Sequence, residues 1–229
     1  MTGKPNTHHP SPITHHPKAI AMEINKTLQQ YIENEIIPRY EHFDAAHRRN
    51  HADDVIRRSL DLASHYDVNP DMVYAIAAFH DTGLCEGRDT HHLVSGRIIR
   101  EDTFLKEHFT AGEIETMAQA AEDHRASKGS EPRSIYGKIV AEADRLIIPE
   151  TVIQRTIQFG LDHYPEYDKE GQYQRFHQHI MEKYADGGYM RLWLPESENA
   201  AKLEELRSII RDEEKLKACF EKEFERLKS

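Results

Sequence analysis

The chain has 229 residues, of which 38% are apolar and 31% charged, and a formal net charge of -10. That length can bury a sizeable core, the composition is that of a folded domain rather than a disordered chain, and the negative charge excludes bulk attraction to a nucleic-acid duplex. No apolar run is long enough to span a bilayer, and Cys85 and Cys219 lie too far apart in sequence to suggest a disulfide framework, which points to a reducing, cytoplasmic setting.

In chain order, residues 1–17 read as a disordered Pro/His-rich leader, with His8, His9, His15 and His16 among prolines. Residues 18–37 are predicted to form an amphipathic helix on Ile20, Ile24, Leu28, Tyr31, Ile32 and Ile36. Pro38 interrupts that pattern. A second helical run, about 39–66, places His47 and His51 four residues apart and so on one face. The turn "DVNPD" then leads into an almost wholly apolar helix, "MVYAIAAFHD", that ends on His80 and Asp81. An imidazole beside a carboxylate at a buried helix end is costly unless something satisfies both, and a divalent cation would do so.

After a loop at 82–90, helices are predicted at 91–107, 110–125, 134–147, 149–163 and 169–185. Asp144 interrupts an apolar pattern formed by Ile139, Val140, Leu146 and Ile147. The last segment, 196–229, reads as one long charged helix. Its apolar face (Leu203, Leu206, Ile210, Leu216, Phe220, Phe224, Leu227) either packs on the domain or pairs with a second copy in a homodimer. No strand alternation and no fixed repeat is visible, so the fold class is all-α: a helical domain over 18–195 with a C-terminal helical extension.

The order His51, His80–Asp81, Asp144 comes with distinctive flanks: "H-x-x-x-V" at His51, an apolar helix before His80, a small-residue turn after Asp81, and "AEADRL" around Asp144. Together these resemble the H…HD…D signature of the HD superfamily of metal-dependent phosphohydrolases. The resemblance covers roughly residues 40–150, with a helical extension to about 200. It implies an HD-domain helical bundle in which His51, His80, Asp81 and Asp144 hold a divalent ion. The mixed nitrogen and oxygen shell suits manganese, iron, nickel, cobalt, zinc or magnesium. It also implies hydrolysis of a small phosphate ester or anhydride, a nucleotide foremost, by water activated at the metal.

In two-metal members of that superfamily, further histidines fall where His91 (or His92) and His124 stand, and the residue at Asp81 bridges the ions. Here Arg125 occupies the place of the second histidine often found beside the later one. Three roles for His91 and His124 stay open: contact with substrate or leaving group and acid–base work, ligation of a second ion, or ordinary surface positions. Arg48, Arg49, Lys128, Arg133, Lys138 and Arg145 are candidate phosphate donors. Lys128, on the loop "HRASKG", is the preferred one, with His47 as a further substrate contact. Arg145 either binds substrate or pairs with Glu142 or Glu122 behind the metal. His177 and His179 are possible pocket walls. Two rival functions share these ligands: a non-catalytic ligand-binding or signalling module, and a di-iron oxygenase, which needs His91 and His124 on a second iron.

Overall fold

The computed structural model describes residues 23–43, 49–125 and 130–228. Among these residues there is no strand, and the helices run in the order α1 (Lys26–Tyr31), α2 (Arg49–Ala63), α3 (Pro70–Phe79), α4 (His91–Glu101), α5 (Thr103–His108), α6 (Ala111–Asp123), α7 (Ile135–Asp144), α8 (Pro149–His163), α9 (Lys169–Tyr184), α10 (Glu198–Ile210) and α11 (Glu213–Lys228). A wider turn over Ile32–Ile36 and a tight 3-10 turn over Ile37–His42 continue α1, and a second 3-10 turn, Thr82–Glu86, links α3 to α4. The leader 1–17, His47 and Lys128 lie outside the described residues.

Capping side chains decide where several helices begin, and two of them divide segments predicted to be single helices. Asp102 accepts a hydrogen bond from the Leu105 N–H (2.9 Å), which ends α4 and starts α5 within the predicted run 91–107. Asp212 accepts from the Lys215 N–H (3.0 Å), which divides the predicted helix 196–229 into α10 and α11. Thr110 and Glu113 form a reciprocal capping box at the start of α6. Pro70 sits at the first position of α3, behind Asn69, whose side chain accepts from the Asp71 N–H (2.9 Å).

α3 is the axis of the first core. Every residue from Met72 to Phe79 is buried, and α2, α6 and α7 pack against it. An element covered on all sides is apolar around its whole circumference, which is why this segment lacks a polar stripe. α4 lies across α6 at Gly96, where a Cβ would come within 2.7 Å of the Glu122 side chain and 3.0 Å of the Ala118 carbonyl oxygen. The close crossing brings the start of α4 near the end of α6.

A second core joins α8 to α11 through Ile153, Ile157, Phe176, Ile180, Leu206 and Phe220. The apolar face of 196–229 is therefore covered within the chain, and pairing with a second copy loses the surface on which that expectation rested. Buried Asn199 ties this second core to the end of α7. Its amide oxygen accepts from the Ile147 N–H (3.0 Å), and its NH2 donates to the carbonyl oxygens of Glu142 (3.0 Å) and Arg145 (2.8 Å). The equally buried Glu142 carboxylate accepts from the Trp193 N–H (3.1 Å).

Candidate metal centre

Six side chains from five helices converge beside the C-terminal end of α3. His51 lies in the first turn of α2, and His80 and Asp81 directly follow α3. Asp144 is the last residue of α7, His91 the first of α4, and His124 follows α6. The Tyr40 hydroxyl fixes the end of α3: it donates to the Ala78 carbonyl oxygen (2.9 Å) and accepts from the Asp81 N–H (3.3 Å). Gly83 fixes the next turn. A Cβ there would lie 2.0 Å from the His91 carbonyl oxygen, and the Gly83 N–H donates to Ser95 Oγ (2.9 Å). Only a residue without a side chain lets this turn sit on α4 closely enough to place His91 opposite Asp81.

Asp81 stands in the middle with its two oxygens facing different partners. Oδ2 faces His80 Nε2 at 3.2 Å and His51 Nε2 at 3.5 Å. His51 Nε2 lies 3.2 Å from Asp144 Oδ1 and 3.2 Å from His80 Nε2. Oδ1 faces His91 Nε2 and His124 Nε2, each at 3.4 Å, and those two nitrogens are 3.2 Å apart. Donor atoms about 2.1 Å from a common ion, at tetrahedral to octahedral angles, sit roughly 3.0–3.4 Å from one another. The separations therefore match two ligand groups that share Asp81: His51, His80 and Asp144 on one side, His91 and His124 on the other.

The hydrogen bonds behind the rings test the fit to a cation. His80 Nδ1 donates to the Ala77 carbonyl oxygen (2.7 Å), His91 Nδ1 to that of Arg88 (2.7 Å), and His124 Nδ1 to that of Ala121 (2.5 Å). A carbonyl oxygen only accepts, so in the neutral ring the proton is on Nδ1 and the lone pair is on Nε2. Those lone pairs point at one another and at a carboxylate, an arrangement that repels itself without a positive charge between the groups. Asp81 Oδ2 is buried and has no well-formed hydrogen bond, a position expensive to leave unsatisfied. A divalent ion on each side of Asp81 resolves both problems, and a carbonyl-anchored imidazole is the usual support of a metal-ligating histidine.

The titration behaviour reflects the same crowding. Burial works against the His51 imidazolium, but Asp144 and Asp81 overcome it and push its pKa up to about 9. Burial alone would raise Asp81; the charge of His80 and contacts from His124 and His51 hold it well below the usual carboxylate range. Asp144 is lowered against its burial by His51 and His80. Burial lowers His91, whereas His124 is raised by Asp81 in spite of its burial. The opening of the centre lies over His51 and Asp144, whose side chains are 20% and 25% exposed, against at most 3% for His80, Asp81 and His124.

The four ligands expected from the sequence thus come together, and His91 and His124 join them opposite the second oxygen of Asp81. Both are buried, which removes the surface alternative, and their place opposite Asp81 is one that a second ion could use, with Arg125 in place of a further histidine. Arg125 reaches the Asp89 carbonyl oxygen instead (2.5 Å). Of the expected phosphate donors, Arg48 and Lys128 lie outside the described residues, and three of the other four are already paired with acids. Arg49 meets Glu33 (3.1 Å), Arg133 meets Glu122 (2.6 Å) and Asp123 (2.9 Å), and Lys138 meets Glu131. Arg145 pairs with neither Glu142 nor Glu122: it donates to the Arg191 carbonyl oxygen, since Glu142 is held by Trp193 and Asn199, and Glu122 by Arg100 and Arg133.

One cation near the centre escaped the sequence reading. Arg58 is buried, donates from Nε to the Asp54 carbonyl oxygen (3.2 Å), and lies within the electrostatic reach of Asp144. Its spacing of two helical turns from His51 was the available signal.

Residues 48–147 match the family model described as HD domain. No curated protein and no solved structure matches the chain.

Proposed function

We propose, from the premise that the chain carries an HD domain over residues 48–147, that it is a metal-dependent phosphohydrolase acting on a small phosphate ester or anhydride, with a nucleotide as the leading substrate class. The observation that carries this reading is the central carboxylate of Asp81, with imidazole nitrogens 3.2–3.5 Å from each of its two oxygens. His51, His80, Asp81 and Asp144 would hold one divalent ion, and Asp81, His91 and His124 a second. Such ions supply Lewis acidity toward a phosphoryl oxygen and a lowered pKa for coordinated water.

The protein's own part is to set the geometry. The carbonyl oxygens of Ala77, Arg88 and Ala121 fix three tautomers, so no ring has to reorganise when charge develops. The nearly closed wall of His80, Asp81 and His124 keeps bulk water to the His51–Asp144 side, where the phosphoryl group would enter. Arg58 adds positive charge behind Asp144. His47 and Lys128 stay in the proposal as substrate contacts on their sequence positions alone. The free thiols Cys85 and Cys219 accord with a reducing, cytoplasmic setting, and no helix of the described residues is long and apolar enough to cross a membrane.

The test combines metal analysis of the purified protein with a phosphatase screen over nucleotides and sugar phosphates in several added cations. Wild type is expected to hold two ions per chain, and His124→Ala one. His80→Ala and Asp81→Ala are expected to lose metal and activity while keeping their helicity. Full activity in either of the last two would overturn the reading. The pairing of His91 and His124 on Asp81 also favours a second reading, a di-iron oxygenase, because it supplies the ligands for a second iron. Bound iron with oxygen consumption and no phosphate release would select it.

A further inference from the structure

A second cleft, of about 440 Å³, opens between α8 and α9, and Leu146 is part of its wall. Leu146 lies two residues beyond Asp144, so their Cα atoms are at most ~7 Å apart, and none of the six metal-centre side chains lines the cleft. Arg155 and Phe159 stand four apart on α8, and His179 and Lys183 four apart on α9, so each pair shares a helix face. These two faces look at each other across the cleft.

The charge of this cleft runs against that of the whole molecule. The chain carries 40 acidic against 30 basic residues, yet Arg155 and Lys183 line the cleft beside His179, an imidazole that burial pushes toward its neutral form, and no carboxylate does. The charge of Arg145 also reaches Lys183. Among the described residues, no ion pair joins Arg145, Arg155 or Lys183 to an acid, whereas Arg49, Arg100, Arg133 and Lys138 all have one. Lys183 is half-buried and feels the charge of Arg145, and an anion in the cleft would offset both the burial and the repulsion of its ammonium. The first turn of α8, which has no side-chain cap, faces the same space through Thr151 and adds the positive end of a 15-residue helix. Beside the cations lie exposed apolar surfaces: Phe159 is 47% and Leu146 52% exposed. The volume suits one small molecule.

We infer that this cleft binds a small phosphorylated molecule, with its phosphate between Arg155 and Lys183 and an apolar or ring-bearing body against Phe159 and Leu146. The site is separate from the six metal-centre side chains and goes beyond the hydrolase reading.

The test is isothermal titration of the full-length chain with inorganic phosphate and with phenyl phosphate, on wild type, Arg155→Gln, Lys183→Gln, Phe159→Ala and His80→Ala. Wild type and His80→Ala are expected to bind both probes, phenyl phosphate the more tightly. Arg155→Gln and Lys183→Gln should each weaken binding at least ten-fold, and Phe159→Ala should remove the advantage of the phenyl group. Binding unchanged in Arg155→Gln and Lys183→Gln, or lost altogether in a folded His80→Ala, would overturn the inference, the latter by assigning phosphate to the metal centre. Arg155 is exposed, so its variant keeps the test decisive should Lys183→Gln fail to fold. Absence of hydrolytic activity would count against the proposed function and leave the titration result standing.

Discussion

His51 is the imidazole nearest solvent in the centre, and its proton is the one a cation has to displace. Without metal its pKa lies at about 9, above the ordinary 6.5. A raised pKa means the native state holds the proton more tightly than the unfolded chain, so this stabilisation is complete below pH 6.5 and disappears as pH climbs through about 9. Asp81 and Asp144 act in the opposite sense: their lowered pKa values stabilise above 3.8 and lose that effect in more acidic solution. Thermal melts of the metal-free protein should therefore show a falling Tm between pH 6.5 and 9, a decline that His51→Gln flattens. Metal uptake near neutrality should release a proton, seen as a buffer-dependent heat on titration. At this scale the four residues of the motif, and that they would meet, were legible in the sequence because each lies in a distinctive local context. The candidacy of His91 and His124 was legible, but their position opposite Asp81 Oδ1 was not, because it follows from the crossing of α4 over α6.

Among the elements, the turn after Asp81 carries the tightest constraint. Gly83→Ala would force a methyl group against the His91 carbonyl oxygen, 2.0 Å away, a main-chain atom that cannot swing aside. Overpacking of this kind costs about 1–3 kcal/mol. The expected result is a lowered Tm together with loss of the ion that His91 helps to hold, the other ion being retained, as read by metal stoichiometry. Two intact ions in Gly83→Ala would show that the turn can move. Helix positions in the first core were readable from the unbroken apolar run of α3 and from the apolar periodicity of α7. The breaks at Asp102 and Asp212 were not, because a capping aspartate on an exposed helix face looks the same in sequence as a solvated one until its side chain turns back to the main chain.

For the molecule as a whole, two cores share one chain, and the second gives α8 to α11 their positions. Phe220 is 1% exposed and packs against Phe176 and Tyr173, with ring centroids 5.2 and 5.1 Å away. Phe220→Ala should cost about 3–5 kcal/mol in urea unfolding; a loss below about 1 kcal/mol would mean that this core contributes little. The cationic cleft belongs to this scale as well. Its two walls come from helices whose sequences are unremarkable one at a time, and only their facing arrangement gathers the charge.

The Asn199 amide has a consequence for dissecting the protein. A fragment ending at residue 195 would retain every metal-centre side chain, yet leave the Ile147 N–H and the carbonyl oxygens of Glu142 and Arg145 without the partner that now satisfies them. Those groups flank Asp144 on both sides, so removing the C-terminal helices would slacken the backbone that positions its carboxylate. The C-terminal helices in this sense help to place the Asp144 carboxylate, and engineered or natural variants shortened at that end should bind cations poorly even where their remaining helices still fold.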